Sequence, residues 1–184
     1  MNDKECVRNI FLYKMLAIFG EPLFWGPIVI VSLMELSGMS LSEIYYMESV
    51  VLILCVALEI PFGVLADTIG RKKTIVVGRL FLFLSTCFFA FMTSPIDAWI
   101  ANILWAIGFT LQSGADTSLI YDTLKGVGRE SEFKKVEGKS IGGRFFLIAF
   151  CSLLVGLLAS FDLRLPLYLC IPFMLVPLVS SWFM

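Results

Sequence analysis

The sequence lacks the residues on which many enzymes and metalloproteins depend. Its 184 residues include no histidine, which removes the commonest metal ligand and the commonest general base. No ATP-binding Gly-x4-Gly-Lys-Ser/Thr segment occurs either. The cysteines form no Cys-x-x-Cys pair, so neither a zinc site nor a disulfide framework is indicated; they are Cys6, Cys55, Cys87, Cys151 and Cys170. We therefore expect no enzymatic activity, no metal and no cofactor.

Charged residues are also scarce. Only 16% of the chain is charged and 59% is hydrophobic, with a mean hydropathy of +0.90. Soluble domains are about 45–50% apolar and about 25% charged, and a soluble core of this length cannot bury so much apolar surface. The composition predicts an all-α protein embedded in a lipid bilayer, and nothing in it indicates binding to nucleic acid.

Six apolar stretches are long enough to cross a bilayer, which takes roughly 20 residues per helix. We predict transmembrane helices at residues 10–34, 44–66, 74–93, 96–121, 141–161 and 163–184, with charged cytoplasmic loops at 67–73 and 122–140. The first stretch is too long for a signal peptide, although Glu21-Pro22 interrupts its apolar run. We therefore expect it to be retained as the first helix.

Lysine and arginine lie almost entirely on one side of this predicted bundle. The opposite side carries only Arg164, whereas the amino terminus and the two charged loops carry Lys4, Arg8, Arg71, Lys72, Lys73, Lys125, Arg129, Lys134, Lys135 and Lys139. Because cationic loops stay in the cytoplasm, both termini are predicted to be cytoplasmic. The expected location is a plasma membrane, such as the bacterial inner membrane, crossed several times.

The segment from Leu58 to Lys73 resembles a known transporter sequence. It matches the loop Gly-x-x-x-Asp-(Arg/Lys)-x-Gly followed by three basic residues, which is typical of the major facilitator superfamily; the matching residues are Gly63, Asp67, Gly70, Arg71, Lys72 and Lys73. Thr68 departs from the pattern, because a basic residue is usual there. We call the six matching residues the gate motif. The whole chain resembles the amino-terminal, six-helix half of this superfamily.

The resemblance implies both a mechanism and a partner. Members of the superfamily carry small solutes by alternating access, rocking two six-helix bundles around a central path. In these proteins the residue matching Asp67 contacts a helix of the second half at the cytoplasmic gate. Two other superfamily patterns are missing, namely the arginine motif of the fourth helix and the glycine–proline motif of the fifth, so drug–proton antiport is not specifically indicated.

Polar side chains inside the predicted helices are candidates for the solute path, because such groups are costly in lipid and usually face a cavity or a partner. In the fourth predicted helix, an amide and aromatic stripe at 3-4-3-4 spacing leads to a carboxylate on the same face. In the first, Glu21 and Trp25 follow Lys14 on one face. The predicted solute or proton path comprises Glu21, Trp25, Asn102, Trp105, Gln112 and Asp116.

Other interpretations of these residues stay open. Glu21 is either a cavity residue or the structural partner of Lys14, and Asn102 and Gln112 are equally suited to bonding helices together. Glu59, Arg79 and Arg144 are interpreted as a gate charge network, in which Glu59 pairs with one of the two arginines. Glu48, on the same predicted helix as Glu59, is expected towards the outer end.

The expected function is secondary active or facilitated transport of a small solute, with Glu21 or Asp116 as the candidate for carrying a coupling proton. Carboxylates along the path favour a cationic or neutral solute. A second bundle is needed as partner, and three explanations are open: a fragment of a twelve-helix transporter, a half-transporter that dimerises, or a remnant that transports nothing. The apolar ending at Met184 favours a fragment. The alternative function is that of a non-transporting membrane interaction subunit.

Overall fold

The chain is almost wholly helical in the computed structural model, which describes residues 3–184 and their side chains from Glu5 onward. Helices make up 87% of it, and no strand occurs among the described residues. The helices are α1 (Asp3–Ile18), α2 (Val29–Ser37), α3 (Leu41–Ile69), α4 (Arg71–Phe91), α5 (Pro95–Gln112), α6 (Ala115–Lys125), α7 (Phe133–Phe161) and α8 (Leu165–Phe183), with 3-10 turns at Gly26–Ile28 and Glu130–Glu132. The side chain of Lys4, counted above among the cytoplasmic cations, lies outside the described part.

Four helices, α3, α4, α7 and α8, are long and apolar enough to cross a membrane. Their outer faces carry large apolar side chains that no other part of the described chain covers: Ile60 of α3 is 79% exposed, and Leu153 of α7 is 82% exposed. Such faces are suited to lipid, since hydrocarbon chains solvate them without cost. The all-α prediction is confirmed for the described residues, and these four helices fit a membrane protein.

The predicted helices at 10–34 and 96–121 are each interrupted, so the prediction of one continuous helix is wrong in both places. Between Ile18 and Gly26 the backbone leaves the helix around Pro22, which has no N–H to donate to the preceding turn. At Ser113–Gly114 the second interruption depends on Gly114, whose φ of 73° is left-handed. Each interruption leaves two shorter helices, α1 with α2 and α5 with α6.

The charged connections are shorter than predicted. Loop 67–73 is reduced to Gly70, whose φ of 95° turns the chain between α3 and α4. Most of loop 122–140 is helical as well, because α6 runs to Lys125 and α7 begins at Phe133. The apolar pattern marks only the apolar part of each helix, whereas the helices themselves continue into the charged segments. At the other end of α3, a Ser40–Glu43 capping box starts the helix earlier than predicted.

Helix α4 lies at the centre of the fold, packed mainly against α5 and α8. A methyl group added to Gly108 would lie 2.7 Å from the Gly78 carbonyl oxygen, so α4 and α5 touch at backbone distance. At the other end of α4, Arg164 donates to the carbonyl oxygens of Ala90 (3.2 Å) and Met92 (2.9 Å). This places a cation at the negative end of the α4 dipole.

Candidate functional site

Both helix interruptions line one cavity of about 740 Å³. Its wall includes Gly20 and Pro22 from the first interruption and Ser113 from the second, with side chains from α1 to α7 around them. This volume lies within the range of small-molecule sites, roughly 300–1,000 Å³. The cavity therefore has the size of a binding site for an organic molecule and is built around the two places where helical hydrogen bonding stops.

All six residues of the predicted solute path line this cavity, namely Glu21, Trp25, Asn102, Trp105, Gln112 and Asp116. The stripe in 96–121 stays together although the helix does not, because the interruption spans only two residues and Asp116 lies in the first turn of α6. Lys14, which shares the predicted face of Glu21, is absent from the wall. The structure thus brings the candidates together, and their part in transport stays a prediction.

Glu21 is held by α7. One of its carboxylate oxygens lies 3.2 Å from Nη1 of Arg144, so the alternative pairing of Glu21 with Lys14 is not the one observed. The Glu21 side chain is 58% exposed, and in the absence of lipid an exposed ion pair contributes little stability. The ion pair matters more for the geometry of the site, because it connects the first helix interruption to α7.

Arg79 is the most deeply buried charge of the site, at 3% exposure. Its Nη1 donates to the carbonyl oxygen of Gly20 at 2.9 Å, a group that lies just beyond the end of α1 and has no helical donor of its own. Asp116 and Glu21 are its anionic neighbours. A cation thus stabilises the carboxyl end of α1, where the helix dipole is negative.

Several side chains of the cavity wall have polar atoms that could each form a further hydrogen bond. Nε of Arg79, Nε of Arg144 and Oε1 of Gln112 are all buried without a partner among the described residues. Unsatisfied buried polar atoms are uncommon in folded proteins and call for an explanation. Here all three side chains line one cavity, so the polar excess is concentrated at the candidate site.

The predicted gate charge network does not form. Glu59 lies exposed on α3 and outside the cavity wall, whereas Arg79 and Arg144 are bonded to Gly20 and Glu21. The expected pairing of Glu59 with either arginine is therefore wrong. The physical reason is that the Gly20 carbonyl and the Glu21 carboxylate of the first interruption are acceptors close to α4 and α7. The spacing of residues along α3 gives no information about these acceptors.

Among the described residues, one ion pair joins the gate motif to a distant part of the chain. Arg71, at the start of α4, pairs with Asp122 of α6. Gly63 has open space where a side chain would be, and Asp67 is exposed without an ion pair among the described residues. Lys72 and Lys73 are exposed as well. Gly63 and the Asp67 carboxylate are thus available for contact with another helix.

The sequence interpretation missed several cavity residues, of which three bear on the chemistry of the site. Tyr13 of α1, Glu48 of α3 and Glu137 of α7 all line the wall, and Glu48 is half-buried beside Asn102. A signal for Glu48 was present, because a carboxylate inside a predicted membrane helix is a functional candidate by itself. Glu137 carried no such signal, since it fell in a predicted loop.

One further sequence pattern has the spacing of a catalytic motif but lies inside a helix. Residues 138–142 have the Gly-x-Ser-x-Gly spacing of some hydrolases, in which the serine stands on a sharp turn after a strand. Here the segment lies inside α7, and the buried Ser140 hydroxyl donates to the Val136 carbonyl oxygen at 2.8 Å. Among the described residues, no three cysteine or carboxylate side chains are grouped to hold a metal ion.

No model of a known protein family matches the chain, and no curated protein matches it. The likeness to the major facilitator superfamily therefore depends on the gate motif and on the pattern of apolar segments.

Proposed function

We propose that the chain is one six-helix half of a secondary transporter of the major facilitator type, which carries a small solute by alternating access. The observation that supports this best is the cavity at the two helix interruptions. In many transporters, discontinuous helices supply the solute site near the middle of the bilayer, because their free backbone groups and half-helix ends interact with the solute. A protein that only bound a partner would have no need of such a cavity.

The proposed transporter half crosses the membrane six times, and α3, α4, α7 and α8 are four of these crossings. The other two are α1 with α2 and α5 with α6, each crossing as a pair of half-helices. Irregular backbone at membrane depth is tolerated where it lines a cavity, and both interruptions line one. The proposed orientation places both termini, Gly70 and the turn before α7 in the cytoplasm, in agreement with the bias of positive charge.

The proposed partner is a second six-helix bundle that completes the path. The open space at Gly63 and the exposed carboxylate of Asp67 leave the gate motif available for a helix from outside the described chain. Native mass spectrometry of the 184-residue chain in nanodiscs identifies the source of that bundle. A dimer assigns it to a second copy, and a monomer assigns it to sequence outside these 184 residues, either in the same polypeptide or in another.

Alternating access predicts that the cavity is reached by water from both sides of the membrane in turn. A cysteine in place of Phe109, which lines the cavity and is 44% exposed, is expected to react with a membrane-impermeant maleimide in right-side-out and in inside-out vesicles. The native cysteines, which form no disulfide, are replaced by alanine beforehand. Labelling is measured by the mass increase of the protein.

Three matched positions control this experiment. Leu153→Cys is more exposed than Phe109 but lies on the apolar outer face of α7, so lipid should protect it from both sides. Lys72→Cys is expected to react only from the cytoplasmic side, and Ser42→Cys, near the start of α3, only from the other. Labelling of Phe109→Cys from a single side would argue against transport and for an interaction subunit.

A further inference from the structure

The charges of the cavity wall do not balance. The wall contains two arginines, Arg79 and Arg144, and four carboxylates, Glu21, Glu48, Asp116 and Glu137. Glu21 is paired with Arg144, and Asp116 is the leading charged neighbour of Arg79. The four carboxylates outnumber the two arginines by two, and the two not yet accounted for are Glu48 and Glu137.

The two remaining carboxylates differ in their surroundings. Glu137 lies in the first turns of α7, in a segment that also carries Lys134, Lys135 and Lys139, so cations are close to it along the chain. Glu48 lies on the second turn of α3, half-buried, and no ion pair forms to it from the described residues. Its polar neighbour is the Asn102 side chain, which is neutral. Glu48 is therefore a cavity carboxylate beside which the described residues place no cation.

Aromatic rings make up much of the wall that Glu48 shares. Trp105 follows Asn102 on the same face of α5 and stacks on Phe109, with ring centroids 4.9 Å apart. Trp25 also lines the cavity and lies 4.2 Å from Phe89 between ring centroids. The π-face of an indole attracts cations, including quaternary ammonium groups. A carboxylate and indole rings in one cavity are therefore complementary to a positive charge on an apolar molecule.

We propose that the transported solute is an apolar organic cation, such as a protonated or quaternary amine, and that Glu48 binds its charged group while the rings contact its body. This inference rests on the proposed transport function, since it names the solute of that function. A carboxylate without a partner is costly within a membrane, and a bound cation removes that cost. An organic cation needs a cavity of about 740 Å³ with aromatic rings in its wall. A proton needs neither.

Tetraphenylphosphonium and tetraphenylborate test the inference directly, because the two ions have the same shape and opposite charge. Binding of each is measured at equilibrium to the full chain in nanodiscs, with empty nanodiscs subtracted. We expect saturable binding of the phosphonium alone. Glu48→Gln, which keeps the size of the side chain, is expected to weaken that binding at least tenfold, and Glu48→Asp to weaken it less.

Glu59→Gln is the matched control, since Glu59 lies on the same helix, is exposed and does not line the cavity. It should bind the phosphonium as the unaltered chain does. Trp105→Leu is expected to weaken binding severalfold. Size-exclusion profiles and thermal unfolding establish that each variant is folded. Equal binding by the Glu48→Gln variant, binding of both ions, or no saturable binding of the phosphonium overturns the inference.

Failure of this inference is distinct from failure of the transport proposal. Two-sided labelling of Phe109→Cys without phosphonium binding would preserve transport and overturn the organic cation as its solute. Glu48-dependent phosphonium binding together with one-sided labelling would preserve the cation site and overturn transport. A Glu48 that carried only a proton would leave phosphonium binding unchanged by Glu48→Gln, which also overturns the inference.

Discussion

Arg79→Gln is expected to reduce the stability of the protein by about 1.5–3 kcal/mol, the usual contribution of a hydrogen bond that involves a charged group. Arg79 is 3% exposed, donates to the Gly20 carbonyl oxygen and lies near Asp116 and Glu21. The shorter, neutral glutamine leaves the carbonyl unpaired and the two carboxylates without their buried cation. For a chain of this size the loss corresponds to roughly 5–10 °C in midpoint temperature, measured by thermal unfolding in detergent.

Arg71→Gln provides the control for this variant. Arg71 lies eight positions earlier in the same helix and pairs with Asp122, but both side chains are partly exposed, so its loss should cost about 0–1 kcal/mol. The double variant Arg79→Gln with Asp116→Asn removes a charge of each sign and should recover part of the lost stability. Equal losses for Arg71→Gln and Arg79→Gln would contradict the structural role assigned to Arg79.

Gly108→Val is expected to separate α4 from α5 and to leave little folded protein. Even the first carbon of the new side chain would lie 2.7 Å from the Gly78 carbonyl oxygen and 2.9 Å from the backbone nitrogen of Leu82. Overpacking of a core costs about 1–3 kcal/mol and sometimes more, and backbone atoms cannot move aside as a flexible side chain can. The yield of monodisperse protein and its midpoint temperature measure the effect.

Gly156→Val is the matched control for the glycine prediction. Gly156 also lies inside a long helix, α7, but nothing lies within 4 Å of an added Cβ there. Valine at this position should leave the yield and the midpoint temperature close to those of the unaltered protein. If Gly108→Val behaved in the same way, the close approach of α4 and α5 would be refuted.

The apolar pattern predicted where the helices lie but not where they stop being helical. Hydropathy averaged over a membrane-spanning length detects the segments 10–34 and 96–121 because the few residues of each interruption are outweighed by their apolar neighbours. Pro22 gave a local signal for the first interruption. Gly114 gave a weaker one, since a glycine inside an apolar helix is also common in close packing. Its left-handed φ is visible only in the structure.

The candidate site was predicted in part for a similar reason. The spacing of Asn102, Trp105 and Gln112 placed them on one face, and all three line the cavity. Arg79 and Arg144 were assigned to a gate with Glu59, because spacing along a helix identifies a face but not the element opposite it. Their actual partners, the Gly20 carbonyl and the Glu21 carboxylate, lie in the first interruption. These acceptors are free because the helix is broken there, and the prediction of a continuous helix did not include that break.

The division into continuous and interrupted helices also has a consequence for biogenesis. Long apolar helices partition into the bilayer individually, whereas an ionised side chain at the middle of a segment opposes its insertion by about 2.5–3.5 kcal/mol. In the proposed six-crossing arrangement, Glu21 places that penalty in the first interrupted segment, and its partner Arg144 is carried by α7. The first segment leaves the ribosome long before α7 is synthesised. Its stable integration therefore has to await a later part of the same chain, so that the order of synthesis and the order of assembly differ.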